Sequence, residues 1–129
     1  MDFIAAIADD DEVCLMLHKH FIETSNFHGA PQAFDSAQKA LDFLESLPDG
    51  SVPVLLFLDI NMPVMNGWEL LDLLAKEDFK KEVYVVIVSS SVDAADKEKA
   101  LSYSRVIDFV EKPFDENTIG KLKPKLPWA

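Results

Sequence analysis

Cysteine is nearly missing from this chain: among 129 residues there is one, Cys14. A lone thiol forms no internal disulfide, so the count points to a reducing compartment and to a small apolar role for Cys14 itself. Long hydrophobic runs are missing as well. No apolar stretch approaches the roughly 18 residues of a membrane span, and Met1-Asp2-Phe3 lacks the basic start and apolar stretch of a secretory signal. Positive charge is scarce: 12 Lys and Arg stand against 23 Asp and Glu, for a formal net charge of −11. That sign disfavours nucleic acid and anionic membrane as direct partners and suits cations or basic protein patches. Repeats, low-complexity tracts and linkers are also absent from the sequence. Together these absences predict a cytoplasmic protein.

What is present is a core. Apolar residues make up 49% of the chain, enough for one packed domain. Phe3 to Ala8, Val52 to Leu58 and Val83 to Val88 are continuous rather than alternating apolar runs, and Val106 to Val110 reads as the last strand. That character predicts strands buried on both faces, as in parallel sheets. Ala30 to Phe34 reads as a weaker strand. Between them lie helical patterns from about Glu12 to the Asn26–Gly29 region, from an Asp35 or Ser36 cap to Leu47, over Gly67 to Lys76, over Asp93 to about Tyr103, and from Asp115 to a stop at Pro124. Pro48-Asp49-Gly50 marks a turn. Five β-α alternations imply an α/β domain with a five-stranded parallel sheet and helices on both faces.

Polar groups collect just past the strand ends. Asp9 and Asp10 follow the first strand, Asp59 the third, Ser89 the fourth and Lys112 the fifth. Open α/β sheets bind ligands at that edge. Two carboxylates about 4 Å apart repel by about 4 kcal/mol at an effective dielectric of about 20, and a hard dication such as Mg²⁺ relieves the repulsion while leaving room for a phosphate oxygen. Lys112 adds a compact positive charge and Ser89 a hydroxyl donor. Metal, ammonium and hydroxyl are the groups that a phosphoryl-transfer transition state needs. Asp59 is the best nucleophile, followed by a loop in which Asn61 could offer a backbone carbonyl to the metal, Pro63 adds stiffness and Gly67 permits a backbone turn.

These residues resemble the receiver domains of two-component response regulators. The matching pieces are Ile7-Ala8-Asp9-Asp10, Leu58-Asp59-Ile60-Asn61-Met62-Pro63 with Asn66-Gly67, Val88-Ser89-Ser90, and Phe109-Val110-Glu111-Lys112-Pro113-Phe114. The resemblance implies a flavodoxin-like (βα)5 fold with strand order 2-1-3-4-5, a receiver over residues 1–122 and a tail over 123–129. It implies phosphorylation of Asp59 by a sensor histidine kinase or histidine phosphotransfer protein. Mg²⁺ would be held by Asp10, Asp59 and the Asn61 carbonyl, with Asp9 acting through water. Ser89 and Lys112 would contact the phosphoryl group, Ser89 and Phe109 would switch conformation, and Asn61 and Ser91 would tune the lifetime of the modified state. Altered binding to a downstream protein would be the output. Such a domain catalyses its own modification and is no enzyme on a separate substrate.

The chain departs from the family in places. Ala5, Ala6 and Ala8 stand where bulkier aliphatics are usual. Ser104-Arg105-Val106-Ile107 replaces a small Gly-Ala pair, which predicts one extra residue between Ser89 and Lys112. The last helix looks short, and the basic, proline-broken end is expected to be a mobile terminus. Asp11 and Glu12 read as helix-capping charge rather than metal ligands. His18, His20 and His28 read as surface residues, the first two facing different ways. Two rival functions remain. A Mg²⁺-dependent phosphatase would need an acid/base carboxylate two residues beyond Asp59, where Asn61 stands. A phosphorylation-independent interaction scaffold would have no need of the intact polar set.

Overall fold

In the computed structural model, which describes residues 2–25, 27–91 and 93–128, five strands alternate with five helices. The elements are β1 (Ile4–Ala8), α1 (Glu12–Thr24), β2 (Gln32–Phe34), α2 (Ala37–Ser46), β3 (Val54–Asp59), α3 (Gly67–Leu74), β4 (Val83–Ser89), α4 (Ala94–Leu101), β5 (Val106–Glu111) and α5 (Glu116–Leu122). All strands pair in parallel, in the order β2-β1-β3-β4-β5.

The sheet is buried on both faces. Ala6, Ala8, Leu56 and Leu58 point to one side, against Ala37, Ala40 and Leu44 of α2, Leu70, Leu71 and Leu74 of α3, and Ala100 of α4. Ile7, Leu55, Phe57, Val86 and Val88 point to the other, against Ile22 of α1 and Ile119 and Leu122 of α5. Every residue of β3 is buried, and each fully buried leucine contributes about 1.5–3 kcal/mol. The alanines of β1 share their core side with the alanines of α2, so small residues on both elements fill that layer together.

Local chemistry sets the helix starts. Asp11 accepts the N–H groups of Val13 and Cys14 and caps α1. Ser36 rather than Asp35 caps α2 through the N–H of Lys39. Asn66 and Glu69 form a reciprocal capping box at α3. The pairing of β4 with β5 slips between Val85–Val106 and Val86–Asp108, leaving Ile107 as the extra residue of a bulge.

Three expectations need correction. The chain end is not mobile: Lys123–Lys125 form a 3-10 turn, Leu126 is buried, and Trp128 lies 5.0 Å from Phe3 and 5.8 Å from Tyr84, ring centre to ring centre. With seven residues, α5 is too short to cover that face alone, and Leu126 and Trp128 complete the cover. His18 is buried rather than at the surface, four residues before buried Ile22 on the inward side of α1. His28 is half-buried, with Nε2 at 2.8 Å from the Phe3 carbonyl; His20 alone of the three is exposed. The expected end of α1 at Asn26 lies outside the described residues, and the helix stops at Thr24.

Candidate functional site

Parallel pairing sets the carboxyl ends of β1, β3, β4 and β5 side by side. Ala8 is opposite Leu58, Asp59 opposite Val88, and Ser89 opposite Glu111. Asp9 therefore follows β1 directly beside Asp59, the last residue of β3. Asp9 and Asp59 are buried, whereas Asp10 is exposed. One carboxylate oxygen from each of the three lies within 4.8 Å of the others. Three hard oxygen donors on the rim of a sheet, one open to solvent, fit a small dication that retains waters.

Lys112 enters the cluster from the end of β5. Its backbone N–H donates to the Ser89 carbonyl at 2.8 Å. Its ammonium lies 3.0 Å from Asp9 and 3.4 Å from Asp59 Oδ2. Burial pulls its pKa down, but the Asp9 hydrogen bond and the charges of Asp59 and Asp9 outweigh that and raise it. Asp59 behaves oppositely for a paired acid. Burial and then the Asp9 charge raise its pKa, and Lys112 only partly compensates. The two shifts fit the distances: the ammonium sits closer to Asp9, so Asp59 holds its charge in a poorly compensated place.

The neighbouring backbone steadies both acids. The Asp11 N–H donates to Asp9 Oδ1 at 2.9 Å and the Asn61 N–H to Asp59 Oδ1 at 3.2 Å. Gly67 is required, but not for an unusual turn. A Cβ there would lie 2.8 Å from the Asp59 carbonyl oxygen and from Ile60 Cα, so only glycine lets α3 pack this close to the end of β3. The Gly67 N–H donates to the Ile60 carbonyl at 2.8 Å across that contact.

The structure thus gathers Asp9, Asp10, Asp59 and Lys112 into one cluster. Ser89 is buried at its edge, its Oγ accepting the Ser91 N–H at 3.1 Å. Ser91 is half-buried, and its own Oγ accepts the Asp93 N–H. Asn61 is exposed beside Asp59. Phe109 stands apart on β5, opposite Ile87 and half-buried against the α3–α4 side of the core. Asp11 caps α1 and stays outside the carboxylate triad. Sequence reading missed His18, which accepts the N–H of Phe114 just behind Lys112. Its spacing of four from Ile22 was the available signal.

A groove of about 540 Å³ opens elsewhere, between the start of α2 and the Pro63–Met65 loop. Its acids are engaged already, Glu69 in the α3 cap and Asp72 with the Tyr103 hydroxyl at 2.6 Å. It offers no converging set of reactive groups and is not the candidate site.

The family described as the response regulator receiver domain matches residues 5–122. Among characterised relatives, a hybrid signal transduction histidine kinase C of Dictyostelium discoideum is 28% identical over 84% of this chain, which spans only 9% of that protein. The two-component response regulator ORR5 of rice is 31% identical, with 88% of this chain and 81% of that protein aligned. The crystal structure of a two-component response regulator from Cytophaga hutchinsonii superimposes with a TM-score of 0.85 at 32% identity, over 95% of each chain. With fold, strand-end polar set and these likenesses in agreement, the chain belongs to the response regulator receiver family of two-component signalling.

Proposed function

We propose that this chain receives a phosphoryl group on Asp59 from the phosphohistidine of a sensor histidine kinase or a histidine phosphotransfer protein, and passes the signal on by altered binding to a downstream protein. The observation that carries the reading is the meeting of Asp9, Asp10 and Asp59 within 4.8 Å, with Lys112 reaching two of them. Asp10, Asp59 and the Asn61 carbonyl would hold Mg²⁺, with Asp9 joined through water. When bound, Mg²⁺ supplies charge neutralisation for the phosphoryl oxygens.

An Asp59 carboxylate oxygen attacks phosphorus and forms the O–P bond. The P–N bond to the donor imidazole breaks, its electron pair stays on nitrogen, and that nitrogen takes up a proton. Asp59 suits the attack because its charge is undercompensated and buried, so little hydration is shed on reaction. Lys112 stands near enough to follow the developing charge from the carboxylate to a phosphoryl oxygen. Ser89 offers a hydroxyl to another phosphoryl oxygen, and its approach, with Phe109, forms the switch. Asn61 and Ser91 border the entry to the site and tune the lifetime of the acyl phosphate. On α1, beside Asp10, the exposed Val13 and Met16 give a donor protein an apolar footing. The receiver proper is residues 1–122, with 123–129 as a packed C-terminal extension that completes its cover, acting in the cytoplasm.

Intact mass spectrometry after mixing with acetyl phosphate tests this reading. One acid-labile phosphoryl group is expected, dependent on Mg²⁺ and abolished in Asp59→Asn. Equal labelling of that variant, or labelling indifferent to Mg²⁺, would refute it.

A further inference from the structure

Among the described residues, four polar or charged side chains are buried: Asp9, His18, Asp59 and Ser89. Three lie at the cluster. The fourth has no part in the transfer proposed above, yet it sits directly behind the residue that does. The His18 ring is 1% exposed and stacks on Phe114, with ring centres 3.9 Å apart and planes 14° apart. Its Nε2 lies 3.2 Å from the backbone nitrogen of Phe114 and accepts that N–H. Phe114 is two residues beyond Lys112, in the connection from β5 to α5.

The hydrogen bond has a chemical condition. Nε2 can accept only if the imidazole is neutral and carries its proton on Nδ1. Burial favours the neutral ring: it brings the pKa down to about 4, with Lys112 adding to the drop and Asp9 and Asp11 opposing it. An aliphatic residue in the same space would leave the buried Phe114 N–H without an acceptor. The segment that delivers Lys112 is therefore fastened at two points. Ahead of the side chain, the Lys112 N–H is held by the Ser89 carbonyl at 2.8 Å. Beyond it, the Phe114 N–H is held by His18. The ammonium reaches Asp9 and Asp59 from between these two anchors.

We infer that His18 is a positioning residue for Lys112, setting through the Phe114 backbone where the ammonium sits between Asp9 and Asp59. Its kinetic consequence rests on the proposed phosphorylation of Asp59; its spectroscopic consequences do not.

The test uses the full chain. Long-range ¹⁵N NMR of the parent at pH 7 should show the Nδ1–H tautomer with Nε2 unprotonated. An Nε2–H tautomer or an imidazolium would overturn the inference, and this measurement stands even if a variant fails to fold. His18→Leu fills the space without an acceptor, and His18→Gln restores one. In His18→Leu the Phe114 amide should lose its protection from hydrogen exchange and the Lys112 side-chain resonances should shift, and in His18→Gln both should return toward those of the parent. Labelling by acetyl phosphate at saturating Mg²⁺ should slow about tenfold in His18→Leu and less than about threefold in His18→Gln, because small displacements of a charge-stabilising group weigh heavily on rate. Mg²⁺ affinity by calorimetry should stay within about twofold of the parent in both, as expected of a group that positions Lys112 rather than the metal ligands. A Phe114 amide as protected in His18→Leu as in the parent, unmoved Lys112 resonances there, or a His18→Gln variant as slow as His18→Leu, would overturn the assignment. A parent chain that takes no label at all would refute the proposed function, while the tautomer, the Phe114 amide protection and the Lys112 resonances still decide the role of His18.

Discussion

Two cations flank β5, one at each end of the sheet, and they are held in different ways. Arg105 stands just before the strand. Its Nε donates to the Leu74 carbonyl at 2.9 Å, Nη1 to those of Lys81 and Val83 at 2.9 and 3.2 Å, and Nη2 to that of Phe79 at 3.2 Å. Lys112 stands just after the strand and divides one ammonium between two carboxylates. Arginine's planar fork suits several fixed acceptors, and a lysine ammonium is a point charge that can change partners. The carbonyls around Arg105 are neutral. The acids around Lys112 are charged, crowded and short of compensation. One end of the sheet is tied by a cation shared among fixed carbonyls, whereas the other holds a charge cluster that only partly neutralises itself.

The contrast breaks most visibly at Arg105. Arg105→Met leaves carbonyls from α3, the segment after it and β4 without donors, and water can reach only some of them. We expect a loss of about 3 kcal/mol in chemical unfolding, unaffected by Mg²⁺. In the folded fraction, labelling of Asp59 should match the parent. A loss under about 1 kcal/mol would mean that the carbonyls find water easily and that Arg105 is no tie at all.

How much of this could be read beforehand follows from the range of each interaction. β3 and β4 were legible because burial on both faces leaves an unbroken apolar run. β3 nevertheless begins at Val54 rather than Val52, since Val52 is exposed and the Pro53 carbonyl serves as acceptor to Ile4. It ends on Asp59 itself, because backbone pairing ignores the polarity of the side chain. β2 was faint because an edge strand of three residues, two of them exposed, carries little pattern. The groups of the candidate site were legible together through topology: each ends or follows a strand, and a parallel sheet leaves those ends no other place to go. Arg105 was legible only as a departure from a small-residue pair, since its partners come from three remote segments. His18 was misread because its partner, Phe114, lies 96 residues away, although the spacing of four from Ile22 hinted at burial. The packed chain end was misread because Leu126 and Trp128 join a layer that Phe3 and Tyr84 reach from remote stretches.

At the other end, Lys112→Ala should slow labelling by acetyl phosphate about a hundredfold, the usual consequence of losing one preorganised charge-stabilising donor. In chelator it should also lower stability by about 1 kcal/mol, because Asp9 and Asp59 are left facing each other. Mg²⁺ should restore most of that stability without restoring the rate. Thermal melts with and without Mg²⁺ for the Lys112 and Arg105 variants give the sharpest form of the comparison. Rescue of Arg105→Met by the metal, or failure to rescue Lys112→Ala, would erase the distinction between the two ends.

One further effect runs the opposite way, toward greater stability. Burial, and then the charge of Asp9, raise the Asp59 carboxyl from 3.8 to about 6 in the folded protein. The folded state therefore binds this proton more tightly than the unfolded state does, and the parent loses stability as pH climbs from 3.8 to about 6. Above that window the whole penalty is present, on the order of 3 kcal/mol. Asparagine at this position keeps the shape and carries no charge to desolvate. In chelator, Asp59→Asn should melt higher than the parent at pH 7.5, by that order, and the advantage should shrink to nothing as pH falls below about 4. Saturating Mg²⁺ should reverse the ranking, since the metal stabilises only the chain that keeps the third carboxylate. If the variant melted lower at pH 7.5 in chelator, the 3.4 Å approach of Lys112 would outweigh burial at Asp59, and the active edge of the sheet would be as settled as the edge that Arg105 ties.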